Sequence, residues 1–265
     1  MRIIGVLACV VAAGCGKVGS ERPPDAGAGS DAAAGDDAGR QSIALDPGFP
    51  IVVDLDTTPG TAIATPMFST PGPDRLLVGV MAWGTGGTDE SPLTITGGGL
   101  TWTRQVYTTF LPGSVPPGTS GDAIWTAWAA QPVTGVTVTG MRGSNKESAV
   151  LTLAIYSFEN ASQAIGATGT HTDQTTSTPL LVDVEATAAG SWIVGGFHHG
   201  TAGAVRTPTA ETVWDITDDP TKAPNGHFQA IGRYRGVTTA PGTIEIGSSA
   251  SGPYSLTSAV EVLQR

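Results

Sequence analysis

The chain has 265 residues, enough for one large β domain or two small ones. Only 14% of them are charged, and 37 glycines and 19 prolines interrupt the chain, which excludes a fold built on long charged helices. A formal net charge of -10 excludes a nucleic-acid partner, whose phosphates need a basic face, and is read here as serving solubility.

Met1 and Arg2 make a short, positively charged start. Ile3 to Gly14 is an unbroken run of apolar and small residues. It is too short to span a bilayer, which needs about 20 residues, and has the length of a signal-peptide core. It ends in Ala12-Ala13-Gly14-Cys15. These residues resemble the bacterial lipobox, with Ala12 where leucine is usual and apolar Val11 beside it. The resemblance implies cleavage that leaves residues 1–14 behind and lipid on Cys15, which would then hold the chain to a membrane of the cell envelope. Gly16, rather than aspartate, points by analogy to the outer membrane, facing either the surface or the periplasm. Cleavage at Cys9 would leave too short an apolar core. Cys9 and Cys15 are the chain's two cysteines, so the body has no disulfide and no thiolate site.

Residues 15–41 hold the lipidation cysteine and then a low-complexity run rich in Asp, Ala and Gly. With almost nothing to bury, this run is expected to be a disordered tether. About 25 flexible residues would reach roughly 25–30 Å. Such Asp-Ala-Gly stretches after a lipid cysteine look like those of surface lipoproteins from high-GC Gram-negative bacteria.

From Ser42 the pattern becomes strand-length apolar runs with turn signals between them. The clearest are Arg75 to Trp83, Thr101 to Phe110, Asp122 to Ala130, Gly135 to Thr139 and Ala149 to Phe158. Leu180 to Glu185, Ser191 to His198, Glu211 to Ile216, His227 to Arg235, Thr243 to Gly247 and Ser255 to Leu263 follow. The two groups read as copies. Leu76-Leu77-Val78-Gly79-Val80 parallels Trp192-Ile193-Val194-Gly195-Gly196, and Val150 to Phe158 parallels Ser255 to Leu263. Residues 42–160 and 161–265 are therefore expected to be two halves of an antiparallel two-sheet β-sandwich of jelly-roll or Ig-like type, built by internal duplication. One merged unit is favoured over two beads, and Asn160 to Ser177 reads as a polar connection.

Period two assigns faces. Leu180, Val182 and Val184 face the core. Leu256, Val260 and Val262 face in while Glu261 faces out. Arg75 to Trp83 is apolar on both faces, as in a central strand covered on both sides. The order Leu-Leu-Val-Gly-Val, Gly-Leu-Thr-Trp-Thr, Ile-Trp-Thr-Ala-Trp, Val-Thr-Val-Thr, Ala-Ile-Tyr-Ser-Phe resembles a β-sandwich repeat of secreted bacterial proteins. The resemblance covers about residues 60 to 263, brings no catalytic residues, and implies a surface or adhesive module.

Hydrolase-elbow, His-Glu-x-x-His and P-loop motifs are absent from the sequence. His198 and His199 are neighbours on a strand and so point to opposite faces, unless Gly200 bends the chain. With Asp173, His171 or His227 they are candidate transition-metal ligands, or else polar histidines at a strand end. Asp215, Asp218 and Asp219 are closely spaced carboxylates, suited to calcium or simply solvated; no other cofactor is expected. Asp54 with Asp56, and Asp89 with Glu90, are smaller acidic groups. Asp183, Glu185, Asp215 and Glu261 are candidate glycosidase carboxylates, though their spacing selects no pair. Trp125 and Trp128 stand three apart on one strand and so face opposite sides. One belongs to the core, and the other is a candidate platform for stacking a sugar ring. Trp83, Trp102, Trp192 and Trp214 read as core. The expectation is a surface module that binds polysaccharide or a protein partner without catalysis. The alternatives are a polysaccharide-acting enzyme on a jelly-roll scaffold and a structural envelope lipoprotein with no ligand.

Overall fold

Alternation of apolar and polar residues between glycine-rich turns makes this chain all-β, and its strands pair antiparallel. The computed structural model describes residues 41–54, 61–84, 93–109, 120–142, 150–173, 178–199, 206–217, 228–252 and 254–265. The signal core, Cys15 and the tether lie outside the described residues, as do Asp56, Asp89, Glu90, Asp218, Asp219 and His227. Gln41–Arg265 forms one unit.

The first half contributes β1 (Ala44–Leu45), β2 (Ile51–Asp54), β3 (Ala62–Ala64), β4 (Arg75–Gly84), β5 (Leu93–Gly97), β6 (Thr103–Thr109), β7 (Ser120–Ala129), β8 (Val138–Arg142) and β9 (Val150–Glu159). The second contributes β10 (Ala161–Asp173), β11 (Thr178–Ala186), β12 (Trp192–His199), β13 (Thr212–Thr217), β14 (Phe228–Tyr234), β15 (Gly242–Gly252) and β16 (Ser255–Gln264). One large sheet runs β1-β9-β4-β7-β6, with β2 also on β9, and the other runs β10-β16-β12-β14-β13. Smaller sheets β3-β8-β5 and β11-β15 complete the set.

Alternate residues of β4 enter different cores, as its two apolar faces require. Leu77, Met81 and Trp83 join Ile63, Leu93, Ile95 and Val138 against the small first-half sheet. Leu76, Val78 and Val80 join Val194, Ile231, Val260 and Val262, so the two large sheets pack face to face. A third core sets Ile193, Phe197 and Phe228 against Leu180, Val182, Val184 and Ile246 of the small second-half sheet. The expected sandwich is thus two sandwiches, stacked in four layers through their large sheets. Fully burying each such side chain contributes about 1.5–3 kcal/mol.

The large sheets of the two halves repeat one another. The strand orders match, and so do the irregularities. β6 carries a bulge between the pairs Arg104–Trp125 and Val106–Ile124. β13 carries one between Trp214–Gly232 and Ile216–Ile231. Gln105 and Asp215 are therefore equivalent bulged residues, and Thr126 is equivalent to Arg233. Each bulged side chain bonds its equivalent neighbour: Gln105 Nε2 donates to Thr126 Oγ1 at 2.7 Å, and Arg233 Nε donates to Asp215 Oδ1 at 3.1 Å. A bulge conserved in place and in bonding is a strong mark of duplication.

Two sequence readings are corrected. Asn160 to Ser177 contains a 13-residue strand, β10, rather than a connection alone. It lies at a sheet edge, paired only to β16, so its other side needs no apolar residues. Glu261 does not face solvent. The turn after β11 folds over it, and it accepts N–H bonds from Ala167 (2.9 Å), Thr187 (2.9 Å) and Ala188 (3.2 Å).

Candidate functional site

Trp125 and Trp128 do point to opposite faces. Trp125 is 4% exposed, inside the first core, and offers no face to a ligand, which removes it as a stacking platform. The cause is β4: Gly79 lies opposite Trp125 in the ladder, and β7 is an interior strand covered on that face. Trp128 is half-buried, packs on the central core, and forms one wall of a groove of 440 Å³.

This groove lies where the β5–β6 loop and edge strand β6 meet β10 of the other half. Leu76 and Leu100 continue the apolar wall that Trp128 begins. Facing them are the amides of Gln105 and Gln163 and the hydroxyls of Thr101, Thr103 and Thr126. Among the described residues, no ionisable side chain lines it. An indole with uncharged donors and acceptors matches a neutral, polyhydroxylated ligand: the ring stacks on a sugar face, and amides bond hydroxyls.

The equivalent edge of the other half is closed. There Asp215 and Arg233 replace Gln105 and Thr126. Tyr156 donates its hydroxyl to Asp215 Oδ2 at 2.8 Å, and Arg233 covers the Trp192 ring at 5.5 Å. Burial pushes the Asp215 carboxyl up, against the downward pull of Tyr156 and Arg233. The Arg233 guanidinium already supplies its counter-charge. Asp215 therefore serves as an inter-sheet lock rather than an available calcium ligand.

His198 and His199 take opposite faces, as period two requires. His198 faces the central interface, where Gln229 Nε2 lies 3.3 Å from its Nδ1 and Thr152 donates to Gln229 Oε1 at 3.1 Å. His199 faces the outer layer, with Arg206 Nη2 3.3 Å from its Nδ1. They do not share a site. Among the described residues, no group of three His, Cys, Asp or Glu side chains gathers to hold a metal.

A second cleft, of 290 Å³, lies between β10 and β11 and is lined by His171, Leu181, Asp183 and Glu245. Asp183 and Glu245 are directly paired across β11–β15, and both are exposed. Sequence spacing alone could not select this pair, because Glu245 lies on a strand far along the chain. Glu185 instead accepts from Thr243 Oγ1 at 2.7 Å.

Asp122 was missed by the sequence reading. It is fully buried between the large sheets, and burial pushes its carboxyl well above the usual carboxylate range.

No family model matches this chain, and neither a curated protein nor a solved structure matches it.

Proposed function

We propose that this chain is a binding module, held to a bacterial envelope membrane by lipid on Cys15, that takes a neutral polysaccharide segment in the Trp128 groove without catalysis. The observation that carries the reading is the groove's lining: among the described residues, one half-buried indole, two glutamine amides and three threonine hydroxyls, with no ionisable group. The symmetry-equivalent place is locked by Asp215, Arg233 and Tyr156, so the chain keeps one edge open and one shut. The test is retention of the full chain on a panel of neutral polysaccharides, with Trp128→Ala and Gln105→Ala alongside. Binding lost in both variants, with the circular dichroism of the parent, supports the groove. The lipid anchor is tested separately: Cys15→Ser should abolish labelling by an alkyne fatty acid and release the chain from membranes.

A second reading follows from the Asp183–Glu245 pair. Directly opposed strand residues have Cβ atoms about 4.5–5.5 Å apart, and carboxyls about 5–5.5 Å apart serve retaining glycoside hydrolysis. On this reading the chain cleaves the polysaccharide it holds. Reducing-end release that disappears in Asp183→Asn and Glu245→Gln would establish it, and no release from any substrate would sink it.

A further inference from the structure

The central interface has a second feature, at the end of β4 away from the groove. Both carboxyl oxygens of Asp122, the Thr108 hydroxyl and the Ser258 hydroxyl are buried there without a hydrogen-bond partner. The topology brings them together. Thr108 pairs with Asp122 across β6–β7. Gly196 of the opposing sheet lies over Asp122, and a methyl group placed on Gly196 would stand 3.1 Å from the Asp122 carboxyl carbon. Ser258 is the ladder neighbour of Gly196 across β12–β16.

Four oxygens from three strands and both sheets thus surround one place, none bonded to another. Buried polar groups are normally satisfied, as the buried carboxylates of Asp46 and Glu261 are. Asp46 accepts from Arg75 and Ser157, and Glu261 is held by backbone N–H groups. The Asp122 carboxylate has no such partner, and glycine at position 196 lets it approach the opposing sheet. The groups facing it are Thr108 from β6, Ala82 from β4, Thr152 from β9, Gly196 and His198 from β12, Gln229 from β14 and Ser258 from β16. His198 is the one other ionisable side chain in that set, and it is engaged with Gln229.

A donor set made only of oxygens, with one carboxyl and no fixed cation, fits a hard cation. We propose that the Asp122–Thr108–Ser258 cluster between the large sheets binds one hard, oxygen-preferring cation, with Asp122 supplying the charge and the two hydroxyls supplying further ligands. Calcium takes about 6–8 oxygens, so water would complete its shell. The site is new to the chain's chemistry: it shares no residue with the acidic group around Asp215 or with the Trp128 groove.

The experiment is calorimetric titration of the chelator-treated full chain with calcium chloride, magnesium chloride and sodium chloride, beside Asp122→Asn and Ser258→Ala. The expected result is one ion per chain for at least one of these cations, with affinity falling at least about tenfold in each variant. Ser258→Ala decides the matter if Asp122→Asn does not fold. Binding of none of the three cations by the parent, or wild-type affinity in the folded variants, overturns the proposal.

Discussion

Tyr156 on β9 donates its hydroxyl to Asp215 on β13 at 2.8 Å, bonding the two large sheets side chain to side chain along one edge. Tyr156 is fully buried, and Asp215 also holds Arg233. Tyr156→Phe removes this cross-sheet bond and leaves the Asp215–Arg233 ion pair. The expected loss is about 1.5–3 kcal/mol, the range for a hydrogen bond to a charged group. Urea denaturation checks it, and an unchanged midpoint would show that the lock is idle.

Asp122 makes stability depend on pH in an unusual sense. Its folded-state pKa is raised by burial, whereas the unfolded carboxyl titrates near about 3.9. The folded state therefore holds a proton that the unfolded state has lost. The stability Asp122 contributes is full below the unfolded pKa and falls as pH rises towards the folded one. In cation-free buffer, Asp122→Asn should flatten this slope, so that the variant gains on the parent as pH rises. Thermal melts of both chains from pH 4 to pH 8 measure it, and a parallel pair of curves would contradict it.

Glu261 runs the other way. Burial pushes its carboxyl up, but the N–H groups of Ala167 and Thr187 and the Thr187 hydroxyl outweigh burial and hold it below the usual range. Its contribution is present above the unfolded pKa and is lost as pH falls through the folded one. Glu261→Gln turns an amide donor towards donors already in place. A cost of about 1–3 kcal/mol at pH 7, shrinking in acid, is the expected result of denaturant titration.

Trp125→Ala should cost about 3–5 kcal/mol by opening a cavity in the first core. Because its ring lies on the opposite face of β7 from Trp128, ligand affinity should survive wherever the chain stays folded. Melting and binding measured on one sample separate the two effects.

Much of this fold is legible in the sequence. The paired apolar faces of Arg75 to Trp83 require two cores, and period two places His198 and His199 on opposite sides. β10 is not legible, because an edge strand with a single neighbour keeps a polar pattern that reads as a loop. Glu261 misleads for a different reason: alternation assigns its face, but only the tertiary fold of the turn at Thr187 covers that face. Trp125 and Trp128 are distinguishable as opposite but not as inner and outer, since that depends on which small sheet lies below β7. The groove itself joins Trp128 to Gln163 of the other half, and no local spacing carries such a contact.

The central claim is that Trp128 and its uncharged neighbours hold a neutral polysaccharide. The most direct measurement is the affinity of the full chain and of Trp128→Ala for the polysaccharide that the parent retains best. Loss of a sugar-stacking surface of this kind predicts affinity reduced at least about tenfold with the fold unchanged, the range of aromatic contacts being about 0.5–1.5 kcal/mol beyond the area they bury. Equal affinity in the two folded chains, or retention of no neutral polysaccharide by the parent, would contradict it.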